Sequence, residues 1–313
     1  MTDTKTPLEV GAVSETGLVR QENQDHMSGR VVPLGHLYIV ADGMGGHKGG
    51  ALASNLTDRG LQEAIAAQPA DASVEKVLRE AFQKANRQVY DKAHAGDPAT
   101  EGMGSTAVVV LVSGAQARVA HVGDSRAYLF RNGKLQLLTK DHTIVQKMVD
   151  TKMITAEEAV NHPNAGVLER AMGTQPSVEV DLSEPIDLKE GDLILMCSDG
   201  LSGYVDDPAI EAVLRRKLPV QEIPGKLLSL ALKAGGEDNI TIQVIRYGKR
   251  KATPTGTKAK TAGGGVRTAI RTLLLVLVVG GVSAAGAHVY QDRIHGAKIG
   301  QLEATQRQLN ETI

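Results

Sequence analysis

The chain has 313 residues, 42% hydrophobic and 23% charged, with 35 Lys and Arg against 36 Asp and Glu for a net charge of -1. That apolar share supports a sizeable core and excludes wholesale disorder, over a length that suits two ordinary domains or one large domain plus extras. One Cys excludes a disulfide scaffold and a Cys-based zinc site, and the lack of a basic excess, with no Trp and 2 Phe, argues against a nucleic-acid partner.

The opening MTDTKTPLEV is polar and has no apolar core of the kind a secretory signal needs. LYIVAD (37–42) is the first short, apolar, β-branched run of a strand. Residues 51–66 read as a helix. So do residues 73–93, where Val74, Val77, Leu78, Ala81, Phe82, Ala85 and Val89 recur at helical spacing behind Ser73 as N-cap. STAVVVLV (105–112) and ARVAHVGD (117–124) are further strands. AYLFRNGKLQLL (127–138) carries Asn132-Gly133 between two apolar runs, a hairpin signal. LILMCSD (193–199) and DNITIQVI (238–245) complete the strands, with helices over 208–217 and 225–234. Strands that neighbour along the chain and join by hairpins, covered by one-faced helices, give an α+β layered domain over residues 1–248.

The aspartates mark the ends of these strands. Asp42 closes LYIVAD before GMGG, Asp124 closes ARVAHVGD, and Asp199 closes LILMCSD before Gly200. Asp238 opens DNITIQVI after Gly235-Gly236, and Asp25 lies in RQENQD. One such Asp is an ordinary turn residue. Several of them at the ends of one sheet system are not: carboxylates about 4 Å apart repel by roughly 4 kcal/mol at an effective dielectric of 20, and they protonate or gather cations. An all-oxygen ligand set suits Mg²⁺ or Mn²⁺, and a Gly beside an Asp lets a backbone carbonyl come close.

These residues resemble the PPM-type (type 2C) metal-dependent protein serine/threonine phosphatases in their bacterial form. The matching segments are RQENQD (20–25), VADGMGGHKGG (40–50), GSTAVV (104–109), AHVGDSRAYLFRNGKLQLLTKDHT (120–143), CSDGLSGYV (197–205) and GGEDNITIQVI (235–245), in the family's order over about residues 8–247. The resemblance implies two stacked antiparallel β-sheets flanked by helices, a four-layer αββα sandwich, with a dinuclear Mn²⁺ or Mg²⁺ site at one edge. By matched position Asp42 bridges both ions, Gly43 adds its carbonyl, and Asp199 and Asp238 complete one ion's ligands. Asp25 holds water around the ions, Arg20 binds the substrate phosphate, and Asp124 with Asp199 holds a third, weaker ion. Residues 141–173 resemble the family's flap beside the site.

The implied reaction is hydrolysis of phosphoserine and phosphothreonine in proteins by an activated water, with phosphoproteins and a Ser/Thr kinase system as partners. Two positions depart from the pattern: Met44 stands where some members carry a His, with His47 three residues on, and Gln24 stands where some relatives have a metal-binding Glu. Cys197 is no Cys-phosphatase nucleophile, because the Arg such a loop needs six residues on is Gly203. The competing readings are a catalytically silent phosphoprotein-binding module and a membrane adaptor on the same fold; the presence of Asp42, Asp199 and Asp238 counts against the first.

Beyond the domain, residues 249–267 hold six Lys and Arg and no acid, in a stretch rich in Gly, Thr and Pro that reads as a basic flexible linker. Residues 268–290 contain LLLVLVVGGVSAAGAHVY, long enough for a transmembrane helix with Arg271 and Tyr290 near its ends. The charge asymmetry puts the catalytic domain in the cytoplasm at the inner (cytoplasmic) membrane, single-pass, with 291–313 as a short extracytoplasmic tail. Gly281 and Ala285, or Gly280 and Ala284, are small residues four apart that suit dimerisation through this span.

Overall fold

The computed structural model describes residues 7–45, 49–160 and 162–248. His47, the linker 249–267, the apolar run 268–290 and the tail 291–313 lie outside the described residues, among which no helix is long and apolar enough to cross a membrane.

Strands β1 (Leu8–Glu15), β2 (Asp25–Val32) and β3 (Gly35–Met44) lead into helices α1 (Gly49–Ala66) and α2 (Val74–Ala93). Strands β4 (Gly104–Ser105), β5 (Ala107–Ser113), β6 (Gln116–Val122), β7 (Arg126–Arg131) and β8 (Lys134–Leu137) follow. Next come α3 (Ile144–Asp150), α4 (Ala156–Val160), β9 (Asp181–Leu182), β10 (Ile186–Asp187) and β11 (Leu193–Cys197). Helices α5 (Asp199–Ser202), α6 (Asp207–Leu214) and α7 (Ile223–Lys233) precede β12 (Ile240–Tyr247).

The strands form two antiparallel sheets. One runs β1-β12-β11-β7-β8; the other runs β10-β6-β5-β3-β2, with β4 beside β3 and β9 beside β6. Period-two side-chain alternation sorts each strand between two cores. Leu37 and Ile39 of β3 and Val109 and Leu111 of β5 face α1 and α2 beside Leu61 and Phe82. Their neighbours Tyr38, Val40, Val108 and Val110 face the other sheet, meeting Leu129, Ile194, Met196 and Ile245. Leu193, Leu195, Ile242 and Val244 point outward beneath Ile210 and Leu227 of α6 and α7. The result is the expected αββα sandwich.

The differences from the sequence expectation have local causes. Strand β1 shows no clean alternation because it is half-buried, and at Gly11 a Cβ would lie 2.2 Å from the Val220 carbonyl oxygen. Strand β2 is a polar edge strand whose only buried residues are Asp25 and Val32. The run 193–199 stops being a strand at Cys197, so Asp199 opens α5. The expected hairpin is present: Asn132 (φ +53°) and Gly133 (φ +80°) form a two-residue turn of positive φ. Ser73 occupies the N-cap of α2 without a side-chain capping bond.

The segment 141–173 is rooted on the β6–β7 turn. Asp141 accepts a bidentate pair from Arg126 at 2.7–3.2 Å. The rings of His121 and His142 stack at 4.6 Å, both buried. Burial first, then the neighbouring His121, pushes His142 down to about 4; burial likewise lowers His121. An unfolded chain carries ordinary imidazoles near 6.5, so it binds more protons than the fold between those values. Stability is therefore fully present above pH 6.5 and lost as pH falls toward 4, by on the order of 3 kcal/mol from His142. Urea unfolding at pH 7 and pH 4.5 should show a smaller acid loss in His142→Asn than in the unaltered chain; equal losses would refute the linkage.

Candidate metal centre

The antiparallel pairing carries the acids to one end of the sandwich. Asp25 at the start of β2 sits opposite Asp42 near the end of β3. In the other sheet, the end of β11 lies beside the starts of β7 and β12, so Asp199 and Asp238 come to that same end of the sheet. Asp124 follows β6 in the turn to β7. Ser198 joins the two sheets there: its hydroxyl donates to Asp25 Oδ2 at 2.7 Å and accepts the Thr241 N–H at 3.0 Å.

The carboxyls perturb one another strongly. Burial raises Asp42 well above the usual carboxylate range, and Asp25, Asp199 and Asp124 add to the shift. Burial and then Asp199 push Asp124 up to about 8. Burial lifts Asp25 to about 6, and burial followed by Asp238 raises Asp199. Asp199 adds to the rise of Asp42, whereas Asp42 offsets part of the rise of Asp199. The buried oxygens Asp25 Oδ1 and Asp199 Oδ1 have no hydrogen-bond partner. Several crowded, desolvated carboxyls, two with an orphaned oxygen, form a donor set that fits hard divalent cations.

Glycines allow the crowding. A Cβ on Gly43 would lie 2.0 Å from the Gly50 carbonyl oxygen, so only a bare backbone lets the start of α1 reach β3. The Gln24 side chain lies against Gly50, where a Cβ would meet its Oε1 at 2.5 Å. Met44, at the position of the family's alternative His, reaches toward Gly104, so this position offers no proton donor.

Arg20 is 54% exposed and donates to Asp238 Oδ2 at 2.7 Å. The residues expected to bind phosphate and metal separately are therefore partners here. Arg20 lines an open groove of about 420 Å³ together with Val19, Gln24, Gly45 and Asn239, the chain neighbour of Asp238.

Three residues that sequence reasoning passed over hold this arrangement. Asn239 accepts the Gln24 N–H at 2.8 Å and donates to the Thr16 and Glu22 carbonyls at 3.0 Å each, fixing the loop that carries Arg20. Ser198 orients Asp25, as described. Thr106 Oγ1 accepts the Asp42 N–H at 3.0 Å and pairs with Ser125. Their signal was position alone, since Asn239 and Ser198 are the chain neighbours of Asp238 and Asp199.

Comparison with known proteins agrees with this geometry. The family described as Protein phosphatase 2C matches residues 12–148. The serine/threonine phosphatase stp of Listeria welshimeri is 36% identical over 238 residues, 74% of this chain and 93% of that protein. The crystal structure of the Mycobacterium tuberculosis serine/threonine phosphatase PstP/Ppp superposes with a TM-score of 0.71 at 36% identity, covering 77% of this chain and 99% of that one. The catalytic domain of PstP in complex with 2 manganese ions superposes at 0.67 with 34% identity, covering 77% and 99%.

Removing the Asn239 staple should loosen the groove. Asn239→Ala is expected to lower stability by about 1–3 kcal/mol, from unpaired buried groups. It should also raise the Mn²⁺ concentration needed for half-maximal binding in a calorimetric titration, and unchanged binding would refute its place in the site.

Proposed function

The chain belongs to the protein phosphatase 2C family, and from that premise we propose that it removes phosphate from phosphoserine and phosphothreonine in proteins, reversing Ser/Thr kinase signalling. The observation that carries this reading is the gathering of Asp25, Asp42, Asp124, Asp199 and Asp238 from both sheets onto one end of the sandwich. In this reading Asp42 would hold the two Mn²⁺ or Mg²⁺ ions with Gly43 adding its carbonyl, Asp199 and Asp238 would complete the ligands of one, and Asp124 with Asp199 would hold a third. When bound, such ions supply a water that is nucleophilic near neutral pH and positive charge against the phosphoryl oxygens.

The chain's own residues do the rest. Arg20 turns its planar fork from Asp238 onto the substrate phosphate, to which its exposed side chain has access. Asp25, held through Oδ2 by Ser198, turns its free Oδ1 to accept a hydrogen from water. Cys197 takes no part: it is fully buried on β11 and its thiol is pushed up to about 12 by burial. No side-chain nucleophile is required, and Met44 leaves the leaving alcohol to take its proton from water.

The membrane reading rests on the sequence. From the sequence we propose that residues 268–290 would cross the inner membrane once, with 249–267 as a basic linker, 291–313 as an outer tail and the catalytic domain on the cytoplasmic side. The small residues from Gly280 to Ala285 would suit dimerisation through this span, and a Ser/Thr kinase with its substrates would be the partners of such an enzyme.

The full chain should hydrolyse a phosphothreonine peptide with Mn²⁺ and not after chelation. Asp199→Asn and Asp238→Asn should each lose more than the ~10–100-fold typical of supporting residues, and Arg20→Ala should raise KM about tenfold. Metal-independent turnover would overturn the mechanism. The full chain should sediment with membranes, and truncation after residue 267 should release it with peptide hydrolysis unchanged; a full chain found in the soluble fraction would overturn the anchor.

A further inference from the structure

The root of the 141–173 segment meets the turn that bears Asp124 in a closed reciprocal pair of hydrogen bonds. The His142 N–H donates to the Gly123 carbonyl at 3.0 Å, and the Gly123 N–H donates to His142 Nδ1 at 3.1 Å. Gly123 has φ +100°, and a Cβ there would lie 2.6 Å from Thr106 Cγ2, so this turn has one conformation and no slack.

The same residue ties down the far end of the segment. The His142 carbonyl accepts the Glu169 N–H at 2.8 Å, Thr143 bridges Leu168, and the Ile144 N–H reaches the Val167 carbonyl at 2.9 Å. Behind the ring, Nε2 faces Asp181 Oδ2 at 3.3 Å, and His121 stacks on its face with its own Nε2 at 2.8 Å from the Lys140 carbonyl.

His121, His142 and Asp181 are grouped closely enough to suggest a transition-metal site. The tautomer argues otherwise. Because His142 Nδ1 accepts the Gly123 N–H, the single proton of the neutral ring is on Nε2, which lies 3.3 Å from Asp181 Oδ2 without making a hydrogen bond to it. Ligation through Nε2 would move that proton to Nδ1, against the Gly123 N–H. What ties this group to the Asp124 turn is the bond between the Gly123 N–H and His142 Nδ1.

The geometry points to His142 as a positioning residue that sets Asp124 through Gly123 and couples it to the 141–173 flap. Cation binding at Asp124 and anchoring of the flap then favour each other. This inference rests on the reading that Asp124 holds the weakest of three ions.

The test is Mn²⁺ titration of the full chain by calorimetry, with amide hydrogen exchange of Ile144 and Glu169, the two N–H donors of the anchor, as a second readout. His142→Leu should weaken the lowest-affinity Mn²⁺ equivalent about 10–100-fold, the range for residues that orient a ligand, and leave the tighter two unchanged. His142→Asn, whose Oδ1 can accept the Gly123 N–H, should restore most of that affinity. In an Asp124→Asn background, His142→Leu should cause no further loss of binding. Mn²⁺ should slow exchange at Ile144 and Glu169 in the unaltered chain and not in Asp124→Asn. A weakest equivalent lost in Asp124→Asn but unaltered in His142→Leu would overturn the role of His142 alone. Three equivalents retained in Asp124→Asn would overturn the reading of Asp124, and the coupling with it. Equal weakening of every equivalent by His142→Leu, without rescue by Asn, would reduce His142 to a structural residue. If His142→Leu does not fold, the exchange readout decides: equal exchange at Ile144 and Glu169 with and without Mn²⁺ in the unaltered chain would overturn the coupling.

Discussion

The architecture depends on several carboxyls being held together where water cannot screen them. Asp25, Asp42, Asp124 and Asp199 all carry raised pKa values, and in each case burial is the first cause and at least one other member of the cluster contributes. Such a cluster opposes folding in its ionised form, so the rest of the sandwich must over-determine it. It does so from two sides. The sheets bring the acids together as a consequence of strand register, and Ser198 fixes the junction between sheets through Asp25 and Thr241. The cluster is therefore a product of the whole β-sandwich, and no single loop could reproduce it.

Register does most of this. In an antiparallel sheet, the end of one strand is beside the start of its partner, so acids at alternating ends of sequential strands gather on one edge. Asp42 near the end of β3 and Asp25 at the start of β2 are direct cross-strand partners. Cys197, two residues before Asp199, pairs with Ile242 of β12 and Arg126 of β7. A slip of one residue would turn these side chains to the opposite face. The alternation of Leu37, Ile39 and Val109 against Tyr38, Val40 and Val108 between two separate cores makes such a slip prohibitive. The hydrophobic cores thus act as the alignment device for the polar site at their end.

Legibility in the sequence followed chemistry more than geometry. Asp42, Asp199 and Asp238 could be read because each stands beside a strand rich in Val, Ile or Leu and beside a Gly or an Asn, a pattern visible without coordinates. The strands β1 and β2 could not: the first is half-buried along its length and the second is a polar edge, so neither carries a period-two signal. Ser198, Thr106 and Asn239 were hidden for another reason. Their function is to bond groups distant in sequence, such as Asn239 to Thr16 and Glu22, and a short polar side chain announces no partner. The pairing of Arg20 with Asp238 was equally out of reach, since the two are 218 residues apart and each has an evident role alone.

The placement of polar groups also separates the residues that must stay fixed from the one that must move. Asp25 is buried and tied to Ser198, and the Asp42 backbone is tied to Thr106. Arg20, by contrast, is 54% exposed and makes a single bond to Asp238. An exposed ion pair contributes little, about 0–1 kcal/mol, so transferring the guanidinium to a dianionic phosphate costs little and gains charge-assisted bonds. The loop beneath it shows the opposite economy, because Asn239 fastens its backbone at three points. A fixed backbone thus carries a loosely held cationic head that pairs with Asp238 at the open side of the site. Met44, paired with Gly104 at the end of β3, adds an apolar side chain without a proton donor beside these acids.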